Sequence, residues 1–300
     1  MRIAITGSSG LIGSALVRSL LADGHEVVRL VRRPPSGADE ARWDPEGGGI
    51  DAAALEGADA VVNLAGAGVG DHRWTDAYKR TVHDSRVRGT ATLAGALASL
   101  AAPPRVLVSG SGITAYGDTG DRRVEESAPY GDGFLPEVCR DWEAAAAPAQ
   151  DAGIRTAFAR TGLVVSGRGG AWARLFPLFK AGLGGRLGSG RQYWSFISLH
   201  DQVAALRHII DHDTVSGPVN LCAPEPLTNA EVTAAMSRVL RRPALFPVPA
   251  PVLRTVVGEF STDILGSTRA VPRKLLDTSF VWTHPGIEEA IRAALAEERH

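Results

Sequence analysis

The sequence predicts a doubly wound α/β fold, in which helices cover both faces of a parallel sheet, followed by a smaller C-terminal region. Three observations predict it. Short, nearly all-apolar strand signals alternate with helical signals over residues 1–165, which is typical of a sheet buried on both faces. A glycine-rich turn follows the first strand directly and opens a helix. After about residue 165 the pattern loosens into glycine-rich and proline-rich stretches.

The first part of the chain alternates between strands and helices. Arg2–Thr6 is a β-rich run, and Leu11–Ala22 carries apolar residues at helical spacing until Asp23 and Gly24 end it. Further strands are predicted at 26–31, 58–64, 105–109 and 156–160, with helices at 74–100 and 134–150. The connections between parallel strands should be right-handed.

The second part is predicted to be mostly helical. Its predicted elements are a short helix at 172–181 within the glycine-rich stretch 166–190, a helix at 200–212, a strand at 218–221, a helix at 228–240 capped by Thr228 or Asn229, a proline-rich linker at 243–251, and helices near 251–265 and at 287–297. We therefore expect a main domain at 1–165, completed by about 200–222, and a smaller region at 166–300 on the substrate side.

Composition limits the classes of partner. The 32 basic and 33 acidic residues give a formal net charge of -1, without the basic excess typical of proteins that bind nucleic acid or anionic membranes. Two cysteines, Cys139 and Cys222, exclude a disulfide framework and a cysteine-based zinc site. His208 and His212 have i, i+4 spacing but no evident third ligand, so we expect no metal site.

The same sequence predicts a cytoplasmic protein. No apolar run approaches the roughly 18 residues of a membrane span. The N-terminus leads directly into a strand, without a signal-peptide pattern. We therefore expect neither a membrane nor a nucleic acid among its partners.

The sharpest motif is the glycine-rich turn Thr6-Gly7-Ser8-Ser9-Gly10-Leu11-Ile12-Gly13. Gly7 permits the tight turn out of the strand, Gly10 lets the backbone approach a pyrophosphate, and Gly13 lets the helix pack closely on the sheet. The N-terminus of the helix then presents free N–H groups to the phosphates. This context predicts a Rossmann-type dinucleotide site; the alternative is a glycine-rich turn without a ligand.

The end of the second predicted strand indicates which nucleotide binds. An NAD site usually places an acidic residue there to bind the ribose 2′-hydroxyl, whereas this chain has Arg29-Leu30-Val31-Arg32-Arg33. A guanidinium binds a 2′-phosphate through charge-assisted hydrogen bonds. Arg32, with Arg33 as second choice, therefore predicts NADP(H); the alternative is that both are solvated surface residues.

Several segments together resemble a known family. TGSSGLIG, VVNLAGAGV and SGSGITAYG resemble the extended short-chain dehydrogenase/reductases. RWTDAYKRTVHDSRVRGT at 73–90, FLPEVCRDWEAAA at 134–146, ARTGLVVSGRGGA at 159–171 and the tail resemble, more closely, the atypical "epimerase family protein" branch of the NAD-dependent epimerase/dehydratases. The resemblance covers nearly the whole chain.

The resemblance implies a set of cofactor contacts. The pyrophosphate would be held by Gly7, Ser9, Gly10, Leu11, Ile12 and Gly13, and the 2′-phosphate by Arg32. The remaining implied contacts are Leu64, Ala65 and Gly66 on the adenosine side, Thr81 and Arg86 on the following helix, Ser109 and Gly110 beneath the nicotinamide, and the floor from Arg160 to Val164. For each of these the alternative is plain packing.

The chain departs from the family at its catalytic pair. The superfamily uses a Tyr as acid and base, with a Lys four residues later on the same helical face to lower the pKa of the Tyr. The residues four after Tyr78, Tyr116, Tyr130 and Tyr193 are Val82, Gly120, Phe134 and Ile197, and none is Lys. Aligning Trp142-Glu143 with the family places Leu135 at the Tyr position, Cys139 at the Lys position and Gly112, beside Ser111, at the usual Ser position.

Five residues are candidate substitutes for the catalytic groups. Tyr116 has a phenol that can donate a proton, and Ser111 can hydrogen-bond a substrate carbonyl, as can the neighbouring Ser109. Cys139 is a candidate thiol acid and base, although a buried structural Cys is more common. Glu137 needs burial to raise its pKa before it can act as an acid near neutral pH.

We expect an NADP(H)-dependent oxidoreductase or epimerase that acts on a small hydroxyl or carbonyl compound. A sugar-like compound is one candidate for this substrate. The alternative is a catalytically silent NADP(H)-binding regulatory or scaffolding module, which the missing Tyr and Lys favour. Helices equivalent to 74–100 and 134–150 form a four-helix dimer seam in the family, so the resemblance also admits a homodimer.

Overall fold

The computed structural model describes residues 1–297, which form an α/β fold around one large sheet. The strands are β1 (Arg2–Thr6), β2 (Glu26–Val31), β3 (Glu40–Asp44), β4 (Gly49–Ile50), β5 (Ala60–Asn63), β6 (Val106–Gly112), β7 (Arg123–Val124), β8 (Arg155–Thr161), β9 (Leu163–Val165), β10 (Tyr193–Trp194), β11 (Phe196–Ser198), β12 (Gly217–Leu221), β13 (Leu227–Thr228) and β14 (Arg269–Ala270). The helices are α1 (Leu11–Ala22), α2 (Asp76–Ala98), α3 (Phe134–Ala144), α4 (Ala147–Asp151), α5 (Gly170–Lys180), α6 (Leu199–Asp211), α7 (Asn229–Leu240), α8 (Ala250–Val257), α9 (Ser261–Leu265), α10 (Arg273–Asp277) and α11 (Ile287–Glu297).

The large sheet has the order β12-β8-β6-β5-β1-β2-β3-β4. Its strands are parallel except for β4, which is antiparallel to β3. From β1 the chain builds outward through β2 and β3, then returns to place β5 on the other side of β1. The order therefore reverses between β1 and β5, where open α/β sheets bind their ligands beyond the carboxyl ends of the strands.

Alternating side chains of the central strands supply two separate cores. Ile3 and Ile5 of β1 pack in the cluster that contains Leu16 of α1 and Leu206 of α6. Ala4 points to the other face, into the cluster formed with α2 and α4. Successive residues of a strand point to opposite faces of the sheet. A nearly continuous apolar run therefore places apolar side chains on both faces, where helices cover them. The predicted doubly wound α/β class is confirmed.

The C-terminal region has its own apolar cluster. It joins Trp172 and Phe176 of α5, Met236 of α7 and Ile291 of α11. The N-terminus of α7 has a reciprocal capping pair, in which the Thr228 side chain accepts from the Glu231 amide and the Glu231 carboxylate accepts from the Thr228 amide. The edge strand β12 returns to the large sheet beside β8. The predicted division into 1–165 and 166–300 stays a prediction.

Several element boundaries agree with the sequence prediction and others do not. The bounds of β1, α1, β2 and α11 are those predicted. The predicted helix 134–150 is instead two helices, because Pro148 has no N–H to continue the hydrogen bonds of α3. The predicted helix 251–265 is also interrupted, at Gly258, whose φ of 66° is left-handed. The prediction missed β3 and the two-residue and three-residue strands. Some of these strands pair with distant chain, such as β14 with β7, whereas β4 forms a local antiparallel pair with β3.

Among the described residues, no helix is both long enough and apolar enough to cross a membrane.

Candidate functional site

The glycine turn after β1 has the geometry of a phosphate cradle. Gly7 has a φ of 66°, and a Cβ atom there would lie 2.7 Å from the carbonyl carbon of Leu64. A Cβ atom on Gly13 would lie 2.2 Å from the carbonyl oxygen of Gly7. The N-cap of α1 is Gly10, which offers no side-chain hydrogen bond to the first turn. The first amides of α1 are therefore free for an anion, and the exposed Ser9 and Gly10 leave it access.

A buried hydrogen-bond network holds together the turn that follows β1 and the turn that follows β5. The Thr6 hydroxyl donates to Asn63 Oδ1 at 2.7 Å and accepts from the amide of Leu64 at 3.0 Å. Asn63 Nδ2 and Trp142 Nε1 both donate to the Thr90 hydroxyl, each at 2.8 Å. The network therefore joins β1, β5, α2 and α3. It holds the predicted adenosine-side residues Leu64, Ala65 and Gly66 next to the glycine turn.

The two arginines at the end of β2 have different environments. Arg33 donates to both carboxylate oxygens of Glu40, at 2.7 and 2.6 Å. This pair holds the pKa of Glu40 down at about 2. Arg29 also lies 3.4 Å from Glu40 and pairs with Asp39. Arg32 is exposed and has no hydrogen bond or ion pair within residues 1–297.

These contacts leave a local excess of positive charge. Arg29 and Arg33 pair with the two carboxylates, and Arg32 leaves the cluster of Arg29, Arg32, Arg33, Asp39 and Glu40 with one net positive charge. The unpaired charge belongs to Arg32, the first choice of the sequence prediction. Arg33 is held by Glu40 instead.

Arg86 lies on α2 under the turn that follows β5. Its Nη1 donates to the carbonyl oxygens of Ala67 and Val82, each at 2.9 Å. Its guanidinium lies 5.1 Å from the centre of the Trp142 ring. Burial lowers the pKa of this arginine, and no carboxylate of the described chain pairs with it. Because a desolvated cation without a counter-ion is unfavourable, this position suits an anionic ligand.

The other predicted cofactor contacts divide into two groups. Ser109 and Gly110 lie in β6 at the carboxyl edge of the sheet, where a Cβ atom on Gly110 would lie 2.9 Å from the Trp142 ring. Val164 lies in β9 and pairs in register with β11. Thr81 is exposed, and its hydroxyl donates to the carbonyl of its own helix at Ala77. The Arg160 side chain is bound to Glu143 through Nε and Nη2, whereas its buried Nη1 has no hydrogen-bond partner among the described residues.

The candidate catalytic residues are not brought together as free groups. The Tyr116 hydroxyl donates to Asn220 Oδ1 at 2.7 Å, and burial raises its pKa to about 12. The Ser111 hydroxyl donates to Glu143 at 2.7 Å. Glu137 is exposed, so the burial that an acid role requires is missing. Cys139 is buried, and burial raises the pKa of its thiol.

Tyr78 and Thr114 are two residues near the site that were not predicted from the sequence. The Tyr78 hydroxyl donates to the carbonyl of Gly68, next to the Ala67 carbonyl that Arg86 binds. Its spacing of i, i+8 from Arg86 places both on one face of α2, a signal that was present in the sequence. The Thr114 hydroxyl lies 3.5 Å from Cys139 Sγ, a contact between separate elements that no sequence pattern indicates.

One group of possible metal ligands occurs among the described residues. It joins His200, Asp201 and His284. The two carboxylate oxygens of Asp201 already accept from the backbone amides of Thr283 and His284, at 2.8 and 2.9 Å. Asp201 therefore anchors the 283–284 turn to α6, as a buried structural carboxylate does.

Comparison with known proteins gives consistent matches. The profile of the "NAD dependent epimerase/dehydratase family" matches residues 3–222, and a domain of unknown function, DUF1731, matches residues 248–294. An "Epimerase family protein" of Mycobacterium tuberculosis is 47% identical over 290 residues, covering 96% of each chain.

Solved structures match over nearly the whole chain. The crystal structure of human epimerase family protein SDR39U1 with NADPH is 32% identical, covers 99% of both chains and has a TM-score of 0.91. A structure described as the nucleoside-diphosphate sugar epimerase of Corynebacterium glutamicum is 36% identical with a TM-score of 0.83. It covers 99% of this chain and 58% of that one.

Proposed function

The chain belongs to the NAD-dependent epimerase/dehydratase family, and we propose that it binds NADP(H) and acts on a small hydroxyl or carbonyl compound. The reaction is epimerase-like or reductase-like and proceeds without the family's Tyr and Lys pair. A sugar-like substrate is supported by the Corynebacterium glutamicum relative, which is described as a nucleoside-diphosphate sugar epimerase. A cytoplasmic location and a homodimer belong to the same proposal.

The unpaired guanidinium of Arg32 carries this proposal. Glu40 is the only carboxylate buried at the end of β2 among the described residues, and Arg33 and Arg29 already bind it. No acidic group is left there to select a ribose 2′-hydroxyl, whereas Arg32 is free to bind a 2′-phosphate. The SDR39U1 structure with NADPH is a relative that binds this nucleotide.

Each part of the site has a task with the cofactor in place. The free amides of α1 would hold the pyrophosphate, and Arg32 would hold the 2′-phosphate. Arg86 supplies a cation under the turn after β5. When bound, the cofactor would supply hydride transfer to or from a substrate carbon.

Titration of the purified protein with NADPH and NADH tests the cofactor assignment. We expect NADPH to bind more tightly than NADH, and Arg32→Gln to weaken NADPH binding by about 10- to 100-fold while NADH binding stays unchanged. Arg254→Gln is the matched control, because Arg254 is an exposed arginine on α8. NADH binding as tight as NADPH binding to the unaltered protein would contradict the proposal.

A second function, as a silent NADP(H)-binding regulatory module, has one specific observation in its favour. Buried Leu135 and Cys139 occupy the positions of the family's Tyr and Lys, and the hydroxyl of Tyr116 is held by Asn220. An activity assay with a panel of nucleotide sugars, aldehydes and ketones distinguishes the enzyme from the silent module. Oxidation of NADPH, or sugar epimerisation, with any member supports the enzyme; tight NADPH binding without turnover supports the module.

A further inference from the structure

The turn that follows β6 contains a hydroxyl group, on Thr114, with no assigned role. A Cβ atom built on Gly112 would lie 2.9 Å from the Thr114 hydroxyl oxygen and 3.8 Å from Cys139 Sγ. Position 112 is where the family resemblance places a serine. The Thr114 side chain, entering from the 3-10 turn Ile113–Tyr116, therefore fills the space next to the missing serine side chain.

The hydroxyl of Thr114 differs from the others near this edge of the sheet. The hydroxyls of Ser111 and Tyr116 donate to Glu143 and Asn220. Ser109 is fully buried beside the Gly110 carbonyl. Thr114 is only half-buried, and its one partner in the described chain is the thiol of Cys139, at 3.5 Å.

Whether the Thr114 hydroxyl is free to donate its proton depends on the protonation of the Cys139 thiol. Burial raises the pKa of Cys139, so the sulfur keeps its proton near neutral pH. The S–H group can then donate to the Thr114 oxygen, since its other acceptor, the Gly112 carbonyl, is farther away at 3.8 Å. Thr114 accepts that hydrogen bond, and its own proton then has no acceptor among the described residues.

We propose that Thr114 donates a hydrogen bond to the reacting oxygen of the substrate, and that Cys139 is a positioning residue that orients this hydroxyl. The ligand is a carbonyl or hydroxyl compound bound at the carboxyl end of β6. The inference rests on the proposed function, because the oxygen must lie beside the nicotinamide. It assigns no proton transfer to Thr114, which supplies a hydrogen bond in place of the absent serine.

Binding of trifluoroacetamide, a carbonyl compound followed by its ¹⁹F signal, tests the inference. The probe is titrated into the complex of the full chain with NADPH. We expect Thr114→Val to weaken probe binding by about tenfold and Thr114→Ser to restore it. NADPH binding should change by less than about twofold in both variants. Thr255→Val is the matched control, because Thr255 lies exposed on α8.

The Cys139 variants test positioning. Cys139→Ala should weaken probe binding about threefold, whereas Cys139→Ser, which keeps a donor, should retain it. Equal probe binding by the unaltered protein and Thr114→Val, or no probe binding by the unaltered NADPH complex, would overturn the inference while leaving NADPH binding intact. Failure of NADPH itself to bind would overturn the proposed function, and the inference with it.

Discussion

Glu143 and Arg160 form a two-point ion pair in the interior of the protein. Arg160 Nε lies 2.8 Å from Glu143 Oε1 and Nη2 lies 2.9 Å from Oε2, with side chains 2% and 4% exposed. The same carboxylate accepts from Ser111 at 2.7 Å and from Tyr130 at 2.6 Å. The pair therefore joins α3 to β8 and holds the end of β6 in place.

Removing one partner of this pair should strongly destabilise the fold. Arg160→Met leaves the Glu143 carboxylate buried without its cation, so we expect the free energy of unfolding to fall by about 3–5 kcal/mol. Urea denaturation followed by circular dichroism measures it. Arg292→Met, which removes an exposed pair with Glu288, should change stability by less than about 0.5 kcal/mol. A similar loss in both variants would show that burial does not determine the effect.

Two glycines should respond to alanine in opposite directions. At Gly13 a Cβ atom would lie 2.2 Å from the Gly7 carbonyl oxygen, whereas at Gly95 on α2 it would meet no atom within 4 Å. Gly13→Ala should therefore lower the free energy of unfolding by about 1–3 kcal/mol and weaken NADPH binding. Gly95→Ala should raise it by about 0.5–1 kcal/mol, without affecting the nucleotide. Thermal denaturation and NADPH titration of both variants check this, and a stable Gly13→Ala protein with full affinity would contradict it.

Asp263 should make stability depend on pH. Burial raises the pKa of its carboxyl to about 6 from 3.8, and no described side chain pairs with it. A carboxyl whose pKa is raised on folding favours the folded state below its unfolded pKa, and that contribution is lost as pH rises through 6. Asp263→Asn should therefore raise the free energy of unfolding by about 2 kcal/mol at pH 8 and leave it nearly unchanged at pH 4.

Urea denaturation at the two pH values measures the effect of Asp263. Asp151→Asn is the control, because Asp151 lies exposed at the end of α4. An equal change at pH 8 and pH 4 would show that the Asp263 charge is not the cause.

The elements whose bounds the sequence predicted correctly are those specified by neighbouring residues. The turn at Gly7 and the helix that follows it are specified by neighbouring residues, so the bounds of β1 and α1 follow from the sequence alone. The assignment of the 2′-phosphate to Arg32 over Arg33 had only spacing to support it, and it stays a prediction. The structure adds one reason for it, because Glu40, seven residues along the chain from Arg33, binds that arginine.

Side-chain contacts between elements far apart in the chain could not be predicted from the sequence. Tyr116 was a candidate proton donor because it follows a strand, but its hydroxyl is held by Asn220, 104 residues later. The contact of Thr114 with Cys139 likewise depends on how α3 packs against the end of β6. Such pairs are decided by tertiary packing, which periodicity and spacing do not encode.

Replacement of Arg86 should separate stability from cofactor binding. Its guanidinium is desolvated beside Trp142 and bound only to backbone carbonyls, with no carboxylate of the described chain to balance it. Arg86→Met keeps the length of the side chain and removes the charge. Because an uncompensated buried charge opposes folding, we expect the free energy of unfolding to stay the same or rise by about 1 kcal/mol.

The same variant should bind NADPH about tenfold or more weakly, since the site loses its cation. Arg88→Met on the same helix is the matched control, because Arg88 is exposed and pairs only with Asp84. Titration with NADPH and urea denaturation of both variants give the two readouts. If Arg86→Met destabilised the protein and bound NADPH with full affinity, Arg86 would only clamp the turn at Ala67. If Arg86→Met is at least as stable as the unaltered protein and binds NADPH more weakly, the charge of Arg86 serves ligand binding. Removal of a purely structural residue would instead lower the stability of the protein.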